Sequence, residues 1–212
     1  MSRSATETFC SNLSQGIHAA AQPLAVLRAS LGNSYTDSMG VEELRELAAS
    51  SAMEIERVCT LFSCLQQLVS AESIKPHLSE EMIQPVLAHA IDGVSLLFKE
   101  DGIELRAMVQ DICQPVFVNR TRLLQALASI FLVAHAVSRP HDTVELIASA
   151  TSSETVQVVV RNLSAHVNAM NAEQSLSLAL AEANIRSQQA SLSWTLQPFS
   201  VQIELHGTPL MH

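Results

Sequence analysis

Two long stretches carry an uninterrupted helical stripe of apolar residues, and only a short polar segment separates them. In residues 5–32 the stripe is Phe9, Leu13, Ile17, Ala20, Leu24, Leu27 and Leu31. In residues 41–70 it is Leu44, Leu47, Ser51, Ile55, Val58, Phe62, Leu65 and Leu68. Spacings of three and four are helical and close to a coiled-coil seam. Ser4 with Glu7 fits a capping box, Gly32 and Asn33 fit a helix end, and "NSYTDSMG" reads as a loop. Two such helices on so short a tether fold back as an antiparallel hairpin. A hairpin alone cannot cover both of its stripes. Pairing two copies into a four-helix bundle covers them, so a homodimer is expected. The single-chain alternative is cover by the rest of the chain.

The texture changes after "AESIKPH", which reads as a linker. Helical pattern returns over 80–99 and ends at the Asp101-Gly102 turn. "IELRAMV" and "PVFV" read as strands, and Asn119 caps an apolar helix over 120–138. "TVELIAS" and "VQVVV" form a strand pair, a helix spans 171–187, and "ASLSWTL" and "VQIEL" close the chain around Pro198. Trp194 alternates with Leu192 and Leu196 and reads as core. His135, inside the apolar helix, reads as a buried, hydrogen-bonded histidine. The order α-β-β-α-β-β-α-β-β predicts an α/β sandwich with helices on one face of a mixed sheet. The expected fold class is α+β, with a helical hairpin domain at 1–72 and the sandwich at 77–212.

Charge narrows the partners. The formal net charge is -9. Both parts are acidic, with four Lys/Arg against seven Asp/Glu up to Ser70 and eight against fourteen beyond it. Neither nucleic acid nor an anionic membrane surface suits such a chain. "LASIFLVAHAV" is too short to span a bilayer, and "MSRSATETF" lacks the apolar run of a signal peptide. The cysteines form no CxxC pair, and no HExxH or Cys/His metal spacing occurs. A cytoplasmic protein with free thiols, no metal and no cofactor is expected.

The first stripe carries one chemically pointed neighbour. His18 lies beside it, among Ser14, Gln15, Ala21, Gln22 and Ala25. These short or polar side chains leave the imidazole open to another protein's active site. Pro23 removes a helix donor and crowds the carbonyl of Ala19, which predicts a bend just past the histidine. "HAAAQPL" at 18–24 resembles the phosphoacceptor box of bacterial histidine kinases: His, four residues, Pro and an aliphatic residue. "RTRLLQALASIFLVAHAVS" resembles the helix that carries their N-box, and "SLSLALAEANIRSQQASLSW" resembles their Gly-x-Gly-Leu-Ala-Leu-Ala segment. Together these matches cover nearly the whole chain. The resemblance implies a dimerisation and phosphoacceptor hairpin followed by an ATP-binding domain.

The departures from that family pattern are chemical. Where the family's asparagines hold magnesium and phosphates, this chain has Ser129 and Val133. Where an aspartate followed by glycines recognises adenine, it has Asn162 in "RNLSAHV". The two later glycines are Ser175 and Ser177. No glycine occurs from Ile103 to His206, so a phosphate-cradling loop would force other residues to positive φ. The acidic residue that follows the family's histidine, and acts as base for autophosphorylation, is Ala19 here. The resemblance with its departures implies an ATP site that is lost in a fold that is kept. The expected function is a histidine phosphotransferase that passes a phosphoryl group between His18 and the aspartate of a response-regulator receiver domain. The receiver would supply the magnesium and most charge stabilisation. Gln22 is either a support that orients a water or a plain surface residue. Ser14, Ala21, Leu24, Ala25 and Arg28 are the expected receiver contacts. The alternative is a non-enzymatic pseudokinase scaffold that binds and regulates a receiver or a sensor kinase, with His18 inert.

Overall fold

The computed structural model describes residues 5–33, 40–152, 154–165 and 167–207. The capping box predicted at Ser4 and the loop at 34–39 lie outside them. The chain divides into two compact units, residues 1–67 and 68–212. No described helix is long and apolar enough to cross a membrane.

The first unit is the helical hairpin. Helix α1 is Ala5–Asn33, and α2 is Val41–Ser73. Glu42 and Glu43 occupy the first turn of α2, where carboxylates suit the helix dipole, and Glu43 accepts the Gly40 amide at 2.9 Å. Along α1 the buried positions are Gly16, Ala19, Ala20, Pro23 and Leu27. Along the same unit's part of α2 they are Val58, Leu61 and Leu65. One hairpin alone covers only part of the predicted stripes. Ile17 is 57% exposed, Leu24 47%, Ile55 52% and Phe62 49%. The three-four spacing marks an arc wider than one neighbouring element covers, and the part that is covered is centred on small residues. Pro23 belongs to that buried arc, so it has a packing role beyond interrupting the helix ladder.

The second unit begins inside α2. Residues Ala71 to Ser73, expected as linker, are helix. The reason is tertiary. The Arg122 guanidinium donates to the carbonyls of Ser70, Ala71 and Ile74 at 3.4, 3.1 and 2.6 Å, and Arg186 pairs with Glu72. A helix end leaves its last carbonyls without intrahelical partners, and Arg122 supplies them.

Beyond it come β1 (Ser79–Glu81), α3 (Ile83–Glu100), β2 (Glu104–Val109), β3 (Val116–Val118), α4 (Arg120–Ala136), β4 (Thr143–Ala150), β5 (Thr155–Asn162), α5 (Ala172–Arg186), β6 (Ser191–Leu196) and β7 (Phe199–His206). β1 is an addition to the predicted order. It pairs antiparallel with β3 in a small two-stranded sheet. The main sheet runs β2-β4-β5-β7-β6, parallel at β2-β4 and antiparallel elsewhere. A parallel pair needs a long crossover, which α4 provides between β2 and β4.

One face of this sheet is buried. Val144, Leu146, Ala148, Val156, Val158, Val160, Val201, Ile203 and Leu205 share a core with residues of α3, α4 and α5. Phe98 and Phe131 meet edge to face within it, with centroids 6.2 Å apart. α4 starts at Asn119, whose side chain accepts the Arg122 amide. α5 starts at a capping box in which Asn171 and Gln174 satisfy each other's backbone amides. Trp194 lies opposite Val201 on the core side, yet it is 40% exposed. β6 is an edge strand, and the helical layer does not reach over its middle.

Candidate functional site

His18 sits midway along α1 and is exposed, with Ala19 and Ala20 buried beneath it at 4% and 2%. Helical geometry explains the pairing: successive side chains point about 100° apart, so a residue adjacent to a buried one can face out. Ser14, Gln15, Ala21, Gln22 and Ala25, the neighbours one turn away, are all exposed. The structure therefore brings the predicted contact residues Ser14, Ala21, Leu24, Ala25 and Arg28 onto the accessible side of α1 with His18 and Gln22. Leu27, a residue of the predicted stripe next to Arg28, is buried. A bare imidazole on a continuous helix, flanked by short side chains, is reachable by a second protein, and a neutral ring nitrogen is a nucleophile.

The residues aligned with the family's nucleotide site do other work. Val133 is 2% exposed and part of the core, so it offers a phosphate or metal nothing. Ser129, one turn earlier, is half-buried. Asn162 is fully buried at the end of β5. Its Nδ2 donates to Ser138 Oγ at 2.7 Å and to Asp142 Oδ2 at 3.0 Å. Its Oδ1 accepts the amides of Ser164 and Ala165 at 2.9 and 3.1 Å. Both polar ends of the side chain are taken by the protein, and a buried amide so satisfied has no reason to exchange these bonds for a ligand. Asn162 holds the turn after β5 instead.

Ser175 and Ser177, in place of the two glycines, lie inside the first turns of α5. Ser175 Oγ donates to the Asn171 carbonyl at 2.9 Å. The capping box consumes amides that an open glycine loop would present to phosphate. Among the described residues the positive-φ positions are Gly102, His141 and Gln189, and none falls between β5 and α5. The predicted set Ser129, Val133, Asn162, Ser175 and Ser177 is thus distributed into core, turn and helix.

His135 departs from its expectation: it is half-buried, and its Nε2 approaches a carboxylate without hydrogen-bond geometry. Its side chain is 17% exposed, with Nε2 2.8 Å from Asp101 Oδ2 and the ring against the edge of Phe98. Two features escaped sequence reasoning: the Arg122 clamp on α2, and the partners of Asn162. Ser138 and Asp142 stand in the "SRPHD" turn, where nothing in the residue types points to Asn162.

No protein-family model matches the chain, and no curated protein matches it. Solved structures do. The Acinetobacter baumannii histidine kinase AdeS superposes with TM-score 0.69 at 15% identity, over 89% of this chain and 96% of that one. The histidine kinase ThkA, in complex with response regulator protein TrrA, superposes with TM-score 0.76 at 11% identity, over 92% of this chain and 61% of that one. The chain has the histidine kinase core fold. A histidine kinase from Burkholderia phymatum adds a third case, with TM-score 0.54 at 14% identity over 91% of this chain and 98% of that one. Within that fold, α1 and α2 form the helical hairpin and residues after α2 form the ATPase-like domain.

Proposed function

We propose that this histidine kinase-like chain is a phosphotransferase of a two-component relay, with His18 as phosphoacceptor and no use of ATP. The observation that carries the reading is the contrast between an exposed His18 and an Asn162 whose hydrogen-bonding atoms are all engaged internally. In the step, an imidazole nitrogen lone pair forms the N–P bond while the O–P bond to the receiver's aspartate breaks and its carboxylate departs. The receiver brings the magnesium that spreads the charge of the transferring group. Such a phosphotransferase needs a positioned histidine and a docking surface. Ser14, Ala21, Leu24, Ala25 and Arg28 form that surface in this reading, and Gln22, exposed one turn from the ring, is the candidate to orient a water.

The test is transfer of label from a phosphorylated receiver to this protein. In the same reading, titration with magnesium-ATP gives no binding heat. Micromolar ATP affinity measured by calorimetry would overturn the loss of the nucleotide site. The exposed Ile17, Ile55 and Phe62 support assembly of two hairpins into a four-helix bundle. Light scattering is expected to return twice the chain mass of 23.0 kDa, and a monomer rejects the bundle.

A second reading keeps the dimer and makes the protein a regulatory scaffold. Ala19 favours it: the position next to the histidine offers no base. Transfer from a phospho-aspartate requires only a neutral imidazole, so the labelling assay separates the two.

A further inference from the structure

β2 closes one end of the main sheet, and no described strand pairs with its outer side. The Glu104 amide donates to Asp142 and the Gln110 amide to Ala148, so even-numbered residues face β4. The backbone groups of Leu105, Ala107 and Val109 therefore point outward, along an edge with no proline and no bulge. Edges of this kind are templates for another strand. Beside the edge, Gln84, Ala88 and Ile91 of α3 form a groove of 550 Å³ with Ala107, Val109 and Asp111. Met108 and Val109 are 43% and 36% exposed.

We propose that this edge pairs with β2 of a second copy of the chain, antiparallel about a two-fold axis through Ala107. The strand is self-complementary in that register. Leu105 falls opposite the partner's Val109, and Ala107 opposite its own copy. All are outward-facing residues that exchange backbone hydrogen bonds as narrow pairs. Arg106 falls opposite Met108 and Glu104 opposite Gln110, so no like charges meet head on. Arg106 already holds Glu104 through two contacts of 2.8 Å, which neutralises the charge nearest the axis. Leu105 is packed against the core of its own copy, so the exposed Ala107 and Val109 of the two copies carry the apolar contact across the pair. Sliding the register by two residues toward Arg106 would bring Arg106 opposite Arg106, which selects the pairing through Ala107. The sheets of two copies then run on as one.

A contact of this size is weak, so it appears at concentrations on the order of 100 µM. Sedimentation velocity of the full chain across a concentration series is expected to show a species of twice the mass of the low-concentration form. Ala107→Asp sets two carboxylates on the axis and is expected to abolish that species. Ala107 is exposed and its backbone does not serve β4, so the fold stays intact. Ala107→Cys is expected to give a 107–107 disulfide-linked peptide by mass spectrometry, since narrow pairs are ~5.5 Å apart at Cα, within disulfide reach. Ile55→Asp on the hairpin distinguishes this contact from the bundle: it removes the bundle and leaves the 107–107 cross-link. A wild-type chain that never doubles, or an Ala107→Asp chain that doubles equally, overturns the pairing.

Discussion

His18→Ala is expected to reduce labelling by a phosphorylated receiver to background. The nitrogen that forms the N–P bond is removed and nothing nearby replaces it. Ser14, Gln15, Ala21, Gln22 and Ala25, the side chains one turn away, include no other imidazole, thiol or amine. The substitution is clean because His18 is exposed and alanine is the best helix former, so stability should stay within ~0.5 kcal/mol. Label on the wild-type protein should be lost in acid and kept in alkali, as a phosphoramidate behaves and an acyl phosphate does not. Gln22→Ala should still be labelled, because Gln22 neither accepts nor donates the phosphoryl group; only the decay of label can change. A His18→Ala protein labelled as strongly as wild type would remove His18 from the chemistry and leave the scaffold reading.

The second large effect concerns Asn162, and it runs against the intuition that restoring the family's aspartate should restore function. Asn162→Asp is expected to destabilise the second unit by about 3–5 kcal/mol at pH 7. The amide donor becomes an oxygen facing Asp142 Oδ2 at the distance now spanned by a 3.0 Å hydrogen bond. Ser138 Oγ cannot compensate, because it donates to the Ala134 carbonyl at 2.6 Å. Three acceptors then face one another with no proton among them, in a site where residue 162 is fully buried. The folded pair holds a proton more tightly than the unfolded chain, so its folded pKa is raised. Its penalty is therefore present above that pKa and fades as pH falls through it. Urea melts of Asn162→Asp, Asn162→Ala and wild type at pH 7 and at acid pH check this. The gap between the two variants should be wide at pH 7 and narrow in acid. Asn162→Asp should also gain no ATP affinity, since Val133, Ser175 and Ser177 remain. An aspartate variant as stable as wild type that binds ATP would mean that Asn162 does not close the site.

Much of the fold was legible because regular elements carry their own period. The stripes over 5–32 and 41–70 gave the hairpin, and the alternation in "TVELIAS", "VQVVV" and "VQIEL" gave β4, β5 and β7. Asn119 marked a helix start through the capping chemistry that the structure contains, while the capping box at Asn171 emerged only in the structure. The exposure of His18 was legible too, since it needed only helical geometry and short neighbours. β1 was not legible: a three-residue strand shows no period, and β1 exists because β3 is there to pair with it. Trp194 alternated correctly with its core neighbours, but alternation tells which face a residue takes, not how far a helical layer extends over it.

The sequence by itself determined the amphipathic hairpin, the order of helices and strands, the small side chains around His18 and the absence of glycine from Ile103 to His206. These are properties of residue type and local spacing. Tertiary structure alone decided which arc of α1 is buried, and with it that Pro23 is packed while Ile17 and Leu24 are free. It decided that α2 runs on to Ser73, because Arg122 reaches back from α4 to its last carbonyls. It also decided the role of Asn162, whose partners Ser138 and Asp142 come from another turn of the chain. Each of these choices depends on a partner far away in sequence, and no local pattern encodes the position of a distant donor or acceptor.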